Sequence, residues 1–428
     1  MSGEEMSGRT EGPSASFITH GYRWGFALIA SLFFLWAIAN NFNDILIRHF
    51  QKALGLDRMQ AGFIQFVFYI GYFVVALPAG LVMRRFGYKA AIITGLCFYA
   101  GGALLFLPAS YIQTYSLFLT ALFVIAAGAA FLETAANPYI TAFGDPSRAP
   151  QRLNLAQSFN GFGAFIAPII GGVLIFSGIE HSPEALAAMS PADLDAYRAM
   201  EASTVRLPYA LLAAVAGFIA LAVIFTTLPK GDFEQGSDET FGSQVRRLLS
   251  HRTLVMAVIA QFFYVAAQVG IWSYFVDFVK DAMPEVPEKQ AAFMLSASLI
   301  LFMVGRFVGT ALMARIAPAR LLGIYAVINA LLCGVAAFAP GQVAVGALML
   351  TSFFMSVMFP TIFALGIDKL GSLVPLGSSF IIMAIIGGAI CPPLMGMVAV
   401  VTGTMQLAFL LPLVCFAFVA LYALPKRS

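Results

Sequence analysis

A chain of 428 residues is long enough for two or three soluble domains, yet 60% of its residues are hydrophobic and only 11% are charged. A soluble domain carries about a quarter of its residues as charge, and 41 Phe against 24 Lys and Arg cannot be hidden from water in one core. Composition therefore excludes a soluble globular protein and implies an integral membrane protein. The net charge of +3 is too small and too dispersed for nucleic-acid binding.

A polar tail over residues 1–20 precedes the first apolar run, which starts at Trp24, and no cleavable signal peptide is expected before it. A spanning helix needs about 20 apolar residues. Runs of that length fall near 24–50, 61–83, 90–108, 115–142, 153–177 and 207–229, and again near 254–281, 291–314, 321–339, 343–370, 378–400 and 406–424. The pattern predicts an all-α membrane protein with twelve transmembrane helices in two six-helix bundles, 21–229 and 254–428, joined by a linker at 230–253. Sixteen Lys and Arg lie on the side shared by the two ends and seven on the other, with Arg306 inside a span. That bias predicts both termini in the cytoplasm.

Two polar intervals are longer. Residues 178–206 carry two helix starts, Ser182-Pro183-Glu184 and Ser190-Pro191-Ala192-Asp193, because Pro suits the first helical position after a Ser cap. In the linker, Val245-Arg246-Arg247-Leu248-Leu249 is patterned as an amphipathic helix for the anionic inner leaflet, so membrane lipid is an expected partner. Cys97, Cys333, Cys391 and Cys415 all sit in apolar runs, and His20, His49, His181 and His251 are scattered at segment ends. The cysteines are expected to be small buried hydrophobes. No metal site and no cofactor is expected.

The halves repeat. Pro138 and Gly144 match Pro360 and Gly366 at an offset of 222, Ser158-Phe159 matches Ser379-Phe380 at 221, and Phe33-Phe34 matches Phe262-Phe263 at 229. Parallel six-helix repeats of this kind place a substrate site between the halves near the midplane.

Polar side chains at membrane depth are costly, and so they are functional candidates. In the first span Trp36, Asn40, Asn43 and Asp44 share one helix face. The fourth holds Glu133 with Asn137 one turn on, the fifth Asn154, Gln157 and Asn160, and the seventh Gln261, Tyr264, Gln268 and Trp272. Such faces can line one cavity with two carboxyls, several amides and two indoles. Amides also bond neighbouring helices, at about 0.6 kcal/mol each. A carboxyl held away from water can take up and release a proton as its cavity wets and dries, whereas amides and indoles suit a neutral sugar. Across the repeat Asp44 corresponds to Ser273 and Glu133 to Met355, so the titratable pair belongs to the amino-terminal half. Arg306, in Gly305-Arg306-Phe307-Val308-Gly309, is a substrate-site charge or, the favoured alternative, bonds helix carbonyls near the cytoplasmic end while the glycines allow close packing.

The stretches Asn40-Asn41-Phe42-Asn43-Asp44, Leu132-Glu133-Thr134-Ala135-Ala136-Asn137-Pro138 and Arg152-Leu153-Asn154-Leu155-Ala156-Gln157-Ser158-Phe159-Asn160 closely resemble the bacterial fucose–proton symporters of the major facilitator superfamily. The resemblance runs from about residue 22 to 424 and includes the outer stretch Met189 to Tyr197. It implies a major facilitator fold with a central cavity, alternating access, and a bacterial inner-membrane location. It also implies that Asp44 and Glu133 form the proton-coupling pair. Which of the two carries the coupled proton stays open, with Asp44 favoured. The resemblance further implies that Trp36, Asn41, Gln157 and Asn160 contact sugar, to which the cavity faces add Asn40, Asn137, Gln268 and Trp272. Two departures stand out. Arg84 occupies a position usually held by an acid in the loop between spans two and three, and Phe359 stands where the fucose pattern has Tyr before the tenth-span Pro. Related members carry glucose, galactose or N-acetylglucosamine. The expected partners are thus a small sugar and protons, handled by a functional monomer. An enzyme would need a nucleophile–base or metal constellation, and a sensor a soluble output domain.

Overall fold

The structure, a computed structural model, describes residues 17–56, 58–175, 181, 185–186, 188–228 and 240–424. The expected helix start at Ser182 and residues 230–239 of the linker lie outside the described residues, as does most of the amino-terminal tail. The described chain is nearly all helical. Ten continuous stretches are long and apolar enough to cross a bilayer. Arg58–Ile112 is spans two and three, divided at Gly87, whose φ of 82° falls where side chains are strained. Ala149–Leu174 supplies the fifth span, which makes twelve.

The other amino-terminal spans are Arg23–Leu54, Tyr115–Thr141 and Arg206–Phe225. In the carboxy-terminal half the spans are Arg252–Ser273, Glu288–Leu312, Pro318–Phe338, a tenth made of Gly341–Met355 and Met358–Ile367, an eleventh made of Val374–Met383 and Gly387–Thr402, and Leu410–Ala423. The expected continuous tenth span is therefore interrupted at Ser356-Val357. Pro360 has no N–H to give the Ser356 carbonyl four residues back, which weakens the helix at this point, although span four runs through the matching Pro138. That carbonyl accepts instead from Arg306 Nε of span eight at 3.1 Å.

Lipid-facing apolar side chains cover the periphery, among them Phe218, Phe225, Val400 and Val401, as expected where the solvent is hydrocarbon. Cys97 is on this exposed surface, which corrects the expectation that all four cysteines are buried. An apolar run does not distinguish core from lipid contact, because lipid tails are as apolar as leucine. On the far side, Ser190 caps the outer helix Pro191–Ser203 by accepting from Asp193 N at 3.2 Å. Glu201 of that helix stands 3.9 Å from His49 of span one, both buried.

On the side that bears the start of span one, the halves are pressed together. Spans two and eleven, four and eleven, five and eight, and five and ten all meet there. Gly80 leaves no room for a Cβ against Pro375 and Ser379, and Gln151 Nε2 donates to Thr310 O at 3.2 Å. The linker helix Phe241–Ser250 buries Gln244 and Leu248 and exposes Arg246, Arg247 and Leu249. Arg84 reaches it, donating from Nη1 to Gln244 Oε1 at 2.5 Å. Toward the other side the halves part and leave one central cavity.

Candidate functional site

The cavity encloses about 960 Å³ between the halves. Its walls come from spans one, two, five, seven, eight and eleven, and its floor from Glu133, Gln157, Arg306 and Phe359. Of the residues expected at the site, Trp36, Asn40, Asn41, Glu133, Gln157, Asn160, Gln268, Trp272 and Phe359 line it. Asp44 lies within the first helix, and its side chain falls outside the described ones.

Two of the amides are held by backbone carbonyls of the same half. Asn41 Nδ2 donates to Ala37 O at 2.7 Å and Asn160 Nδ2 to Phe33 O at 3.3 Å. Each bond uses one N–H and leaves the carbonyl oxygen and a second N–H for a ligand. Trp36 is packed on Phe33, ring centres 4.3 Å apart. Trp272 donates its indole N–H to Ser352 Oγ at 3.1 Å, and Ser352 meets Ser298 Oγ at 2.6 Å. The second indole therefore offers the cavity a ring face rather than a donor.

The floor joins both halves. Glu133 is 6% exposed. The Tyr72 hydroxyl adjoins it and Asn40, and the charge of Arg306 acts on it. Arg306 bonds the Gln157 carbonyl, reaches Gln157 Oε1 at 3.2 Å, and stands over the Phe302 ring at 4.5 Å. Arg306 does bond carbonyls, but it does so at the cavity floor and across the halves rather than near the cytoplasmic end. The expected close packing of Gly305 and Gly309 is present, since a Cβ on either would strike Phe353 or Val357 of span ten.

Asn137 is corrected. It is fully buried and does not line the cavity. Its Nδ2 donates to Glu133 O at 2.8 Å, and its Oδ1 accepts from Gln157 Nε2 at 3.0 Å. It holds Gln157 from behind because the helix turns position 137 into the packed interior of its own half. Asn154, Gln261 and Tyr264 are likewise sealed beneath the floor. The sequence reading missed the second span, which contributes Gln65, Tyr69 and Tyr72. Their spacing of four and three residues is a helix face, but tyrosines among many aromatics do not announce a polar wall.

Two repeated six-helix halves around a central cavity that holds a carboxyl, amides and a guanidinium define a multi-pass membrane transporter, and the chain belongs to the Major Facilitator Superfamily, whose model matches residues 28–384. It is 47% identical over 402 residues to the L-fucose-proton symporter of Escherichia coli strain K12, covering 93% of this chain and 92% of that one. It is 39% identical over 404 residues to the glucose/galactose transporter of Brucella abortus biovar 1 strain 9-941, covering 94% of each. A crystal structure of a major facilitator transporter, FucP, in the outward conformation matches at a TM-score of 0.88 and 46% identity, over 94% of this chain and 98% of that one.

Proposed function

We propose that this protein is a proton-coupled sugar symporter working by alternating access, with L-fucose the favoured substrate. The observation that carries the reading is the cavity floor, where a buried carboxyl, an arginine and an amide from both halves meet beneath a wall of amides and indoles. The similarity to an L-fucose-proton symporter favours that sugar over glucose and galactose, which related transporters are named for.

In this reading both termini are cytoplasmic and the cavity opens outward. Sugar hydroxyls bond Asn40, Asn41, Gln157, Asn160 and Gln268, while Trp36 and Trp272 cover the apolar face of the ring and Phe359 closes the floor. A proton on Glu133 or Asp44 removes a charge that would be costly to carry through a dry interface. It thereby permits the two rigid halves, 21–229 and 254–428, to rock about the linker at 230–253. The protein acts as a monomer in the bacterial inner membrane.

One proton entering with each sugar contributes about 2.3 kcal/mol per 100 mV, enough for about fifty-fold accumulation. The test is uptake of labelled L-fucose, galactose, glucose and N-acetylglucosamine into cells expressing the protein. L-fucose should accumulate, the gradient should collapse with a protonophore, and sodium removal should not matter. Accumulation that persists after the protonophore would exclude proton symport.

A further inference from the structure

Beneath the cavity floor, on the sealed side, three polar side chains are short of partners. Gln261 lies on the same face of span seven as Gln268, two turns toward the sealed end. It is fully buried, and among the described residues neither end of its amide meets a hydrogen-bond partner. Tyr264, one turn nearer the cavity, is also fully buried with an unpartnered hydroxyl. Its ring stands edge-on to Phe359 at 6.4 Å. In the other half Asn154 lies one turn from Gln157, again toward the sealed end. Its Nδ2 bridges the halves to Thr361 Oγ1 at 3.2 Å, but its Oδ1 is unpartnered.

Buried polar groups are ordinarily satisfied, and each one left unmade opposes the state that buries it. Apolar side chains would pack these positions at less cost. The amides make sense if this end of the molecule is wet for part of the cycle. Phe359 lines the open cavity with the Tyr264 ring edge-on to it, and one polar face of span seven is divided into an open outer part at Gln268 and a closed inner part at Tyr264 and Gln261.

We propose that Gln261, Tyr264 and Asn154 form the hydroxyl-binding wall of the inner passage, an exit subsite for a neutral polyhydroxylated sugar. They are sealed in this conformation and take water, then the departing sugar, once the halves rock. The inference rests on the alternating-access reading above. Their missing partners raise the energy of the sealed state and bring the two conformations closer together.

The experiment is Gln261→Leu, purified, reconstituted and compared with the parent using tritiated L-fucose. Equilibrium binding should stay within twofold and the thermal midpoint should not fall, because the outer cavity is untouched and an orphan amide is gone. Counterflow should slow at least tenfold, since the sealed state is now favoured and the exit wall is apolar. Counterflow within twofold of the parent overturns the proposal. So does a lowered midpoint, which would mean that Gln261 is partnered in the folded state. Failure of the parent to bind L-fucose would instead overturn the sugar assignment and leave a second arm to decide. In that arm Gln261→Cys, in a background with the four native cysteines replaced, is exposed to a membrane-impermeant maleimide. Labelling should be at least tenfold faster in inside-out than in right-side-out vesicles, and equal protection from both faces overturns the proposal.

Discussion

At the offset that superimposes Pro138 on Pro360, Glu133 of the amino-terminal half meets Met355 of the other, which is fully buried. At the offset of 229 that superimposes Phe33-Phe34 on Phe262-Phe263, Asp44 meets Ser273, which lies in the cavity wall. One local feature is kept at an offset of 221: Ser158 Oγ donates to Asn154 O at 3.0 Å, and Ser379 Oγ to Pro375 O at 3.2 Å. The chemistry facing the cavity has diverged. Each half brings an indole and amide chemistry, Trp36 with Asn40, Asn41, Gln157 and Asn160 on one side and Trp272 with Gln268 on the other, but the carboxyl Glu133 belongs to the amino-terminal half and the guanidinium Arg306 to the carboxy-terminal half. The difference makes the site work as a pair, since Arg306 can answer the charge on Glu133 only from the opposite half.

The largest effect expected from breaking this division is loss of the proton side. Glu133→Gln or Asp44→Asn should reduce the accumulation in energised vesicles from about fifty-fold to none. At least one of the two should retain sugar counterflow, because exchange never requires the empty, deprotonated carrier to reorient. Normal accumulation in both variants would remove the amino-terminal carboxyls from coupling and direct attention to Asp277 and Asp368.

A smaller effect is expected where the halves are joined. Gln157→Ala removes the side chain that accepts from Arg306 and donates to Asn137. A buried site that loses such a group discriminates poorly, so equilibrium binding of sugar to the purified protein should weaken by more than about tenfold. Titration calorimetry measures this directly, and an unchanged Kd would move the sugar away from the floor.

The comparison is sharpened most gently by Arg306→Lys. Lysine keeps the charge near Glu133 but cannot serve the Ser356 and Gln157 carbonyls together, because it lacks the planar fork. Uptake should fall about fivefold, and Arg306→Leu should fall further. If lysine and leucine are equally damaging, the carbonyl bonds rather than the charge are what the cavity needs.

Sequence alone determined the membrane class, the twelve spans and most of the site. Apolar run length is set by bilayer thickness, and a helix face is set by the 3.6-residue period. Both are local quantities. Trp36 and Asn40, or Gln268 and Trp272, therefore face the cavity together as their spacing required, and Asn41, which the family resemblance implied, lines it beside them. Tertiary structure decided depth and partnership. It closed Gln261, Tyr264 and Asn154 beneath the floor and turned Asn137 behind Gln157. It also carried Arg306 from an expected helix-end role to the junction of the halves. It broke the tenth span where Pro360 frees a carbonyl that a neighbouring helix can satisfy. The physical reason is that periodicity gives the direction in which a side chain leaves its own helix, while the level at which two rigid halves touch depends on every other helix in the bundle.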